Sequence, residues 1–512
     1  MGCEPFLDAM FGAPDFNVVV GGRAYDPSPY VAFCALISMG AQQVPMETLG
    51  EERLGGFFHM GKIMECGGQC ATPKSKSALA TVYQDGTFVV KPLNTHAKCT
   101  PISVAAHTLY EKSRPDLLYG PGGCLDLTQS AYVQQPDDRS ILVSGALFKI
   151  PSTFNSKYTV KLEAANITGY RAIFIGAMRD PILTGQIDSF LGLVREYVRE
   201  QHVHIDEHWQ LGFHKFGALG DNIGNGVGEI FIVGEALAPN QDLANSLAST
   251  ARIACVHGPY PGQKATSGNL AMGIGGKMEI EMGECASFCI YHLMDLNNGE
   301  QGAKALGNAK EMTGVLPNDV DAIENDNSIF GGVADKVRPL FSWKQVIVGE
   351  NILKYDNGII GELSITPTPS LAKNSISISK GARDGGDDIE RRSPRTLGDI
   401  AHIVRSKNSG PFEITFDVLF NLREVYLAVK GSSLLSSAVI SELFDIKEGD
   451  IIFCGFFDQA LAFKATLPRT TGGLGSSSGG FMENDVHASQ QYLPLMGLQL
   501  PQGLTDVLVG VL

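Results

Sequence analysis

Arg23 and Asp26 stand just after the glycine pair Gly21-Gly22, which closes the apolar run Val18 to Val20. In open α/β sheets, ligands collect beyond the carboxyl ends of strands, and an Arg there suits bidentate capture of a carboxylate or phosphate. The same spacing also serves an N-cap, because Asp26 precedes Pro27. Arg179-Asp180-Pro181 repeats the arrangement after the apolar run Ala172 to Ile175, so two such turns could face one crevice. His59, Lys62, Glu65, Cys66 and Cys70 fall within twelve residues that are partly helical by pattern. His59 or a buried Glu65 could move a proton near neutral pH. The third set is Arg405, Ser406, Lys407 and Asn408, with Lys464 and Arg469 as further members. Such a run of donors fits an anion, or else an interdomain salt-bridge surface.

Other groupings carry less chemistry. His107 and Glu111 have a spacing that also holds a structural ion pair on a helix, expected over Ala105 to Lys112. His202, His204, Glu207 and His208 read as a surface cluster at a domain junction. Cys66 with Cys70, and Cys285 with Cys289, have a C-x3-C spacing that matches no standard zinc pattern, so no metal is expected. The loop from His257 to Asn269 could cradle an anion with backbone amides, but it is neither a Walker loop nor a dinucleotide fingerprint. No cofactor is expected.

Elements must hold these groups in place. Asp15 to Arg23 reads as a buried strand, and Pro27 to Gly40 as a helix. Tyr170 to Gly176 reads as a second strand, followed by a helix to about Arg199. Alternating runs between Tyr83 and Pro151 suggest antiparallel strands inserted into that α/β core. Strands at Glu229 to Val233 and Cys285 to Leu293, around a helix from Gln241 to Val256, suit a ferredoxin-like α+β domain. The expected fold class is α/β, with an α/β sheet domain at 1–205, a ferredoxin-like domain with an extension at 206–369, a linker at 370–394 and a small α+β domain at 395–512. With the linker between them, the last domain is expected to dock over the core and bring Arg405 and Lys407 toward Arg23.

Composition narrows the class further. The chain has 512 residues, too many for one core to grow efficiently. Its net charge of -15 and lack of basic runs argue against nucleic-acid or membrane-surface binding. No run of apolar residues is long enough for a membrane helix, and Met1 to Pro5 does not begin a secretory signal, so a cytoplasmic protein is expected.

Several longer motifs add a resemblance. VVVGGRAYDPSPYVAF (18–33), HMGKIMECGGQC (59–70), CTPISVAAHTLYEKSRPDLLYGPGG (99–123), YTVKLEAA (158–165) and GYRAIFIGAMRDPIL (169–183) are similar to the acyclic terpene utilisation (AtuA-like) family. EALAPNQDLANSLASTAR (235–252) and HGPYPGQKATSGNLAM (257–272) resemble the ferredoxin-like domain of that family. LGDIAHIVRSKNSGPFEITFDVLF (397–420), FFDQALAFKATLPR (456–469) and DVHASQQYLPL (485–495) resemble a small domain of unassigned function found fused to it. Family members carry further strand-helix units before the point matching Met1, so the sheet domain is expected to be N-terminally shortened.

Together these readings predict a metabolic enzyme that acts on a branched, acyclic carboxylic acid or its CoA thioester by proton transfer, as a lyase, hydratase or isomerase. Asp26, His59, Glu65 and Lys407 are the candidates for catalysis. Arg23, Arg179, Asp180, Arg405, Ser406, Asn408, Lys464 and Arg469 are the candidates for substrate binding. The alternative is a noncatalytic acid-binding or scaffold subunit. The expected partners are the small acid and further copies of the chain in a homo-oligomer.

Overall fold

The structure is a computed structural model. It describes residues 2–150, 159–205, 208–217, 228–264, 266–271, 278–295, 394–471, 474–475 and 477–511. The strand candidates at 345–348 and 359–365, all of the 370–394 linker but its last residue, and Glu207 lie outside the described residues.

The N-terminal unit opens with three helices, α1 (Glu4–Gly12), α2 (Ser28–Met39) and α3 (Glu51–Met64). Helix α3 is buried nearly all round, from Leu54 to Ile63, so its glycines allow other backbones to approach it closely. Two antiparallel sheets flank these helices. One has the order β1 (Ala78–Val82), β2 (Phe88–Pro92), β6 (Ile141–Ser144), β5 (Ala131–Gln134), and the other joins β3 (Leu117–Gly120), β4 (Gly123–Asp126) and β7 (Leu147–Lys149). In β2 and β6 buried and half-buried residues alternate, the period-2 pattern of strands with one face on a core. Helix α4 (Pro101–Thr108) begins with a capping box between Thr100 and Ser103. It ends earlier than its apolar pattern suggests, because Leu109 to Lys112 turns away through Glu111 at φ 59°.

The expected strand at Asp15 to Arg23 does not form. That segment is irregular, and Val18 and Val20 are 77% and 91% exposed. An apolar β-branched run pairs only where a neighbouring strand supplies hydrogen bonds, and no described strand lies alongside it.

From Thr159 the chain builds a second core. Strand β8 (Thr159–Met178), α5 (Pro181–Thr184), α6 (Ile187–Gln201), β9 (Gln210–Phe216), β10 (Ile230–Ala238), α7 (Gln241–His257) and β11 (Ile280–Asp295) follow one another. The sheet order is β11-β8-β10-β9, so the first strand lies between the last and the third, as in a ferredoxin-like split βαβ. Its core runs from Ala172 through Phe190 and Leu247 to Leu270. The strand and helix that follow the N-terminal motifs thus belong to the ferredoxin-like sheet.

The C-terminal domain forms another antiparallel sheet in the order β12 (Ile403–Asn408), β13 (Glu413–Leu419), β15 (Ala462–Pro468), β14 (Phe453–Phe457). It is covered by α8 (Leu397–Ile400), α9 (Arg423–Gly431), α10 (Ser437–Phe444), α11 (Leu493–Met496) and α12 (Gln502–Val509). The whole is a mixed α/β protein. The C-terminal sheet docks on α4, where Ala105, Ala106 and Leu109 pack with Leu419, Phe457, Ala460 and Ala462 in one buried cluster. Among the described residues no helix is long and apolar enough to cross a membrane.

Candidate functional site

A polar cavity of about 270 Å³ lies where the three units meet. Arg23, Asp26, Glu65, Glu111 and Lys112 come from the N-terminal unit, Lys161, Glu163 and Tyr291 from β8 and β11, and Lys407 and Asn408 from β12. Alternation along β12 turns Arg405 and Lys407 to one side and Ser406 to the other. Gly410 follows in a tight turn at φ 76°, and a Cβ there would sit 2.4 Å from the Tyr291 ring. Only glycine lets the C-terminal domain approach β11 this closely.

The charges around the cavity are nearly balanced and mostly paired. Arg23 meets Glu163 at 2.6 Å, Lys161 meets Glu163 at 3.4 Å, and Lys407 meets Glu111 at 3.5 Å. Glu65 is held by the fully buried Lys62. Burial raises the Glu65 pKa more than the ammonium groups of Lys62 and Lys112 lower it. The amine of Lys112 lies 5.2 Å above the Tyr25 ring, and among the described residues it forms no ion pair. Burial, reinforced by the nearby Lys62 charge and only partly opposed by Glu65 and Asp26, lowers its pKa to about 8. Among the described residues the buried Tyr25 hydroxyl has no hydrogen-bond partner.

A second cavity of about 550 Å³ shares Arg23, Asp26, Glu65 and Glu111 with the first. It also shares Pro29 and Tyr30 with an apolar groove of about 770 Å³ lined by Phe33, Ile37, Met64, Leu79 and Val82. Charged and apolar spaces therefore lie side by side.

The structure brings together Arg23, Asp26, Glu65, Lys407 and Asn408, and it leaves the other expected residues elsewhere. His59 is fully buried, with Nε2 3.3 Å from the Tyr132 hydroxyl and its ring edge-on to Phe88. Burial, then the Lys62 charge, pushes its pKa down to about 3, and it lines a different cavity beside Gly86. Arg179 pairs with Glu229, and Asp180 caps α5 by accepting from the amides of Ile182 and Leu183. Neither lines the three cavities described above.

The remaining C-terminal donors are engaged internally. Arg405 donates to Asp417 at 2.8 Å and to the Ala106 carbonyl at 2.9 Å. Lys464 is fully buried between Asp417 and the Leu109 carbonyl, so both cations meet the carbonyl end of α4, where positive charge is favoured. Ser406 donates to the Ala488 carbonyl, and Arg469 is paired with Glu483. Asn408 reaches the cavity wall, but its amide is bonded to Val486 and its oxygen to Arg469. Among the expected surface cluster, His202 is buried and bonded to Ser246. Cys70 lies 3.8 Å from Cys99, with no group of three or more His, Cys, Asp or Glu set to hold a metal among the described residues.

Sequence reasoning missed Lys112, Lys161, Glu163 and Tyr291. The signal for Lys112 was its place inside the 99–123 motif, next to Glu111.

Comparison with known families matches these units. The model for the acyclic terpene utilisation family protein AtuA matches residues 1–269. The chain belongs to the acyclic terpene utilisation family. Residues 397–499 match a second model, described as a domain of unknown function (DUF4387), and this segment begins at the helix that opens the C-terminal domain. No curated protein and no solved structure matches the chain. Membership associates this chain with acyclic terpene utilisation, and the AtuA match ends at Asn269, inside the loop that follows α7.

Proposed function

We propose that the cavity between the AtuA-like region and the C-terminal domain binds a branched acyclic carboxylic acid or its thioester and moves a proton on it. The reaction class is that of a lyase, hydratase or isomerase. The observation that carries this reading is the convergence of Arg23, Lys112, Lys161 and Lys407 around Asp26 and Glu65 in one cavity. These four basic groups come from three units and face the carboxylates of Asp26, Glu65, Glu111 and Glu163, so an anionic head group would bind by displacing part of that pairing, and the adjoining apolar groove suits a hydrocarbon tail.

Roles follow from the surroundings. Arg23 and Lys407 would hold the carboxylate by exchanging part of their pairing with Glu163 and Glu111. Lys112 has a pKa of about 8, so it passes between amine and ammonium near neutral pH and can take a proton from carbon. Glu65, whose pKa burial raises, is suited to return a proton at the opposite step. Incubating the protein in deuterated water with branched acids and thioesters tests the reading by mass spectrometry. Deuterium in recovered substrate, lost in Lys112→Met, is expected; no exchange and no product across the panel would rule it out.

A further inference from the structure

Lys112 differs from the other lysines at the cavity. Lys161 and Lys407 have carboxylate partners at 3.4 and 3.5 Å, and the buried Lys62 has Glu65. Lys112 has the face of Tyr25 instead, 5.2 Å away. Among the described residues this amine has no carboxylate partner, and although the ring face favours the ammonium, burial beside the Lys62 charge outweighs it and poises the amine to lose its proton and act as a nucleophile. A base needs only the lone pair, but such an amine can also form a bond to a carbonyl carbon.

We propose that the site takes an oxo acid, a carboxylate that also carries an aldehyde or ketone carbonyl, and that Lys112 captures this carbonyl as an imine. The proposal rests on the carboxylate-site reading given above and narrows its substrate class. The Nζ lone pair attacks the carbonyl carbon, and the C=O π pair moves to oxygen to give a carbinolamine. A C=N bond then forms as the oxygen leaves as water, taking with it the two hydrogens the amine gives up. Asp26, Glu65 and Glu111 line the same space and can carry those protons. The lowered pKa of Lys112 agrees with this geometry, since about half of the amine is neutral near pH 8. Arg23, Lys161 and Lys407 would hold the carboxylate end, so an uncharged aldehyde of equal length should react less well.

The test is reductive trapping with cyanoborohydride, using succinic semialdehyde and, as its uncharged counterpart, butanal, followed by peptide mapping. A reduced adduct on Lys112 is expected, forming roughly tenfold faster with succinic semialdehyde than with butanal and rising with pH through about 8. Lys112→Arg keeps the charge and should remove the adduct, and Lys407→Ala should slow trapping of the semialdehyde. The pH profile of the unaltered protein supplies a readout that does not depend on either variant folding. Adducts spread over exposed lysines, or unchanged in Lys112→Arg, would overturn the proposal. Calorimetric titration with isovalerate separates the two readings: binding without trapping defeats imine formation alone, whereas neither binding nor trapping defeats the carboxylate site with it.

Discussion

Lys464 lies wholly inside the protein, yet its amine donates to the Leu109 carbonyl at 2.9 Å, across the boundary between the C-terminal domain and the AtuA-like region. Its other partner, Asp417 at 2.8 Å, also receives Arg405, and Arg405 reaches the Ala106 carbonyl. Two cations and one carboxylate thus fasten the C-terminal sheet to the end of α4, next to the turn that carries Glu111 and Lys112.

Removing one member of this buried group leaves the others only partly compensated. Lys464→Met should cost about 3–5 kcal/mol, because the Leu109 carbonyl loses its donor and buried Asp417 keeps only Arg405 as its cation in a dry setting. Lys464→Met with Asp417→Leu should cost less than Lys464→Met alone. Urea denaturation followed by fluorescence checks both; a loss of under about 1 kcal/mol in the single variant would contradict the account.

Acid should loosen the same junction. Burial raises the Asp417 pKa, but Lys464 and Arg405 outweigh burial and hold it below the ordinary carboxylate value. Its folded-state pKa is depressed, so its stabilisation is complete above the unfolded value of about 3.9 and fades as pH falls below that. Lys112 works at the other end of the scale: with a folded pKa of about 8 against about 10.4 unfolded, the unfolded chain binds more protons between those values, so stability from this group rises with pH there. Denaturation midpoints measured from pH 3 to 10 in the unaltered protein and in Lys112→Met should differ in slope above about pH 8. Parallel curves would show that Lys112 is not shifted.

Close approach at Gly410 can be tested without touching a charged residue. Gly410→Ala forces a Cβ against the Tyr291 ring and holds a left-handed φ of 76°, so a loss of about 1–3 kcal/mol is expected. Adding Tyr291→Ala relieves the clash but not the backbone strain, so about half the loss should return. Full recovery or none, measured by thermal denaturation, would contradict the assigned contact.

Asp180 serves as a control outside the cavity. Its carboxylate caps α5 and accepts from Tyr260 at 2.9 Å. Asp180→Ala should cost about 1 kcal/mol of stability and leave acid binding at the cavity unchanged. An altered affinity for isovalerate would return the Arg179-Asp180 turn to the site.

The sequence by itself determined the elements whose patterns are local. The helix Ser28–Met39, the alternating strands β2 and β6, and the β8, α6, β10, α7 and β11 run are all visible in apolar spacing, since each buries a periodic face. Family membership was legible for the same reason, because ordered motifs are a property of the chain. Arg23, Asp26, Glu65 and Lys407 could be named from their places in those motifs, although nothing in the sequence told which of the candidates share a space.

Tertiary structure decided the rest, because the state of a charged group depends on what faces it. Arg405, Lys464 and Arg469 have the same composition as an anion site, but burial against Asp417, Glu483 and the end of α4 turns them inward. His59 sits one turn before Lys62 on α3, with Glu65 just past the helix end, yet it is sealed beneath Phe88 and Tyr132. Lys112 is an ordinary residue after a helix until Tyr25, Lys62 and Glu65 are brought around it from segments far away in the chain. Periodicity records which face of an element is buried; only the packed fold sets the desolvation and the neighbouring charges that give one lysine a pKa of about 8.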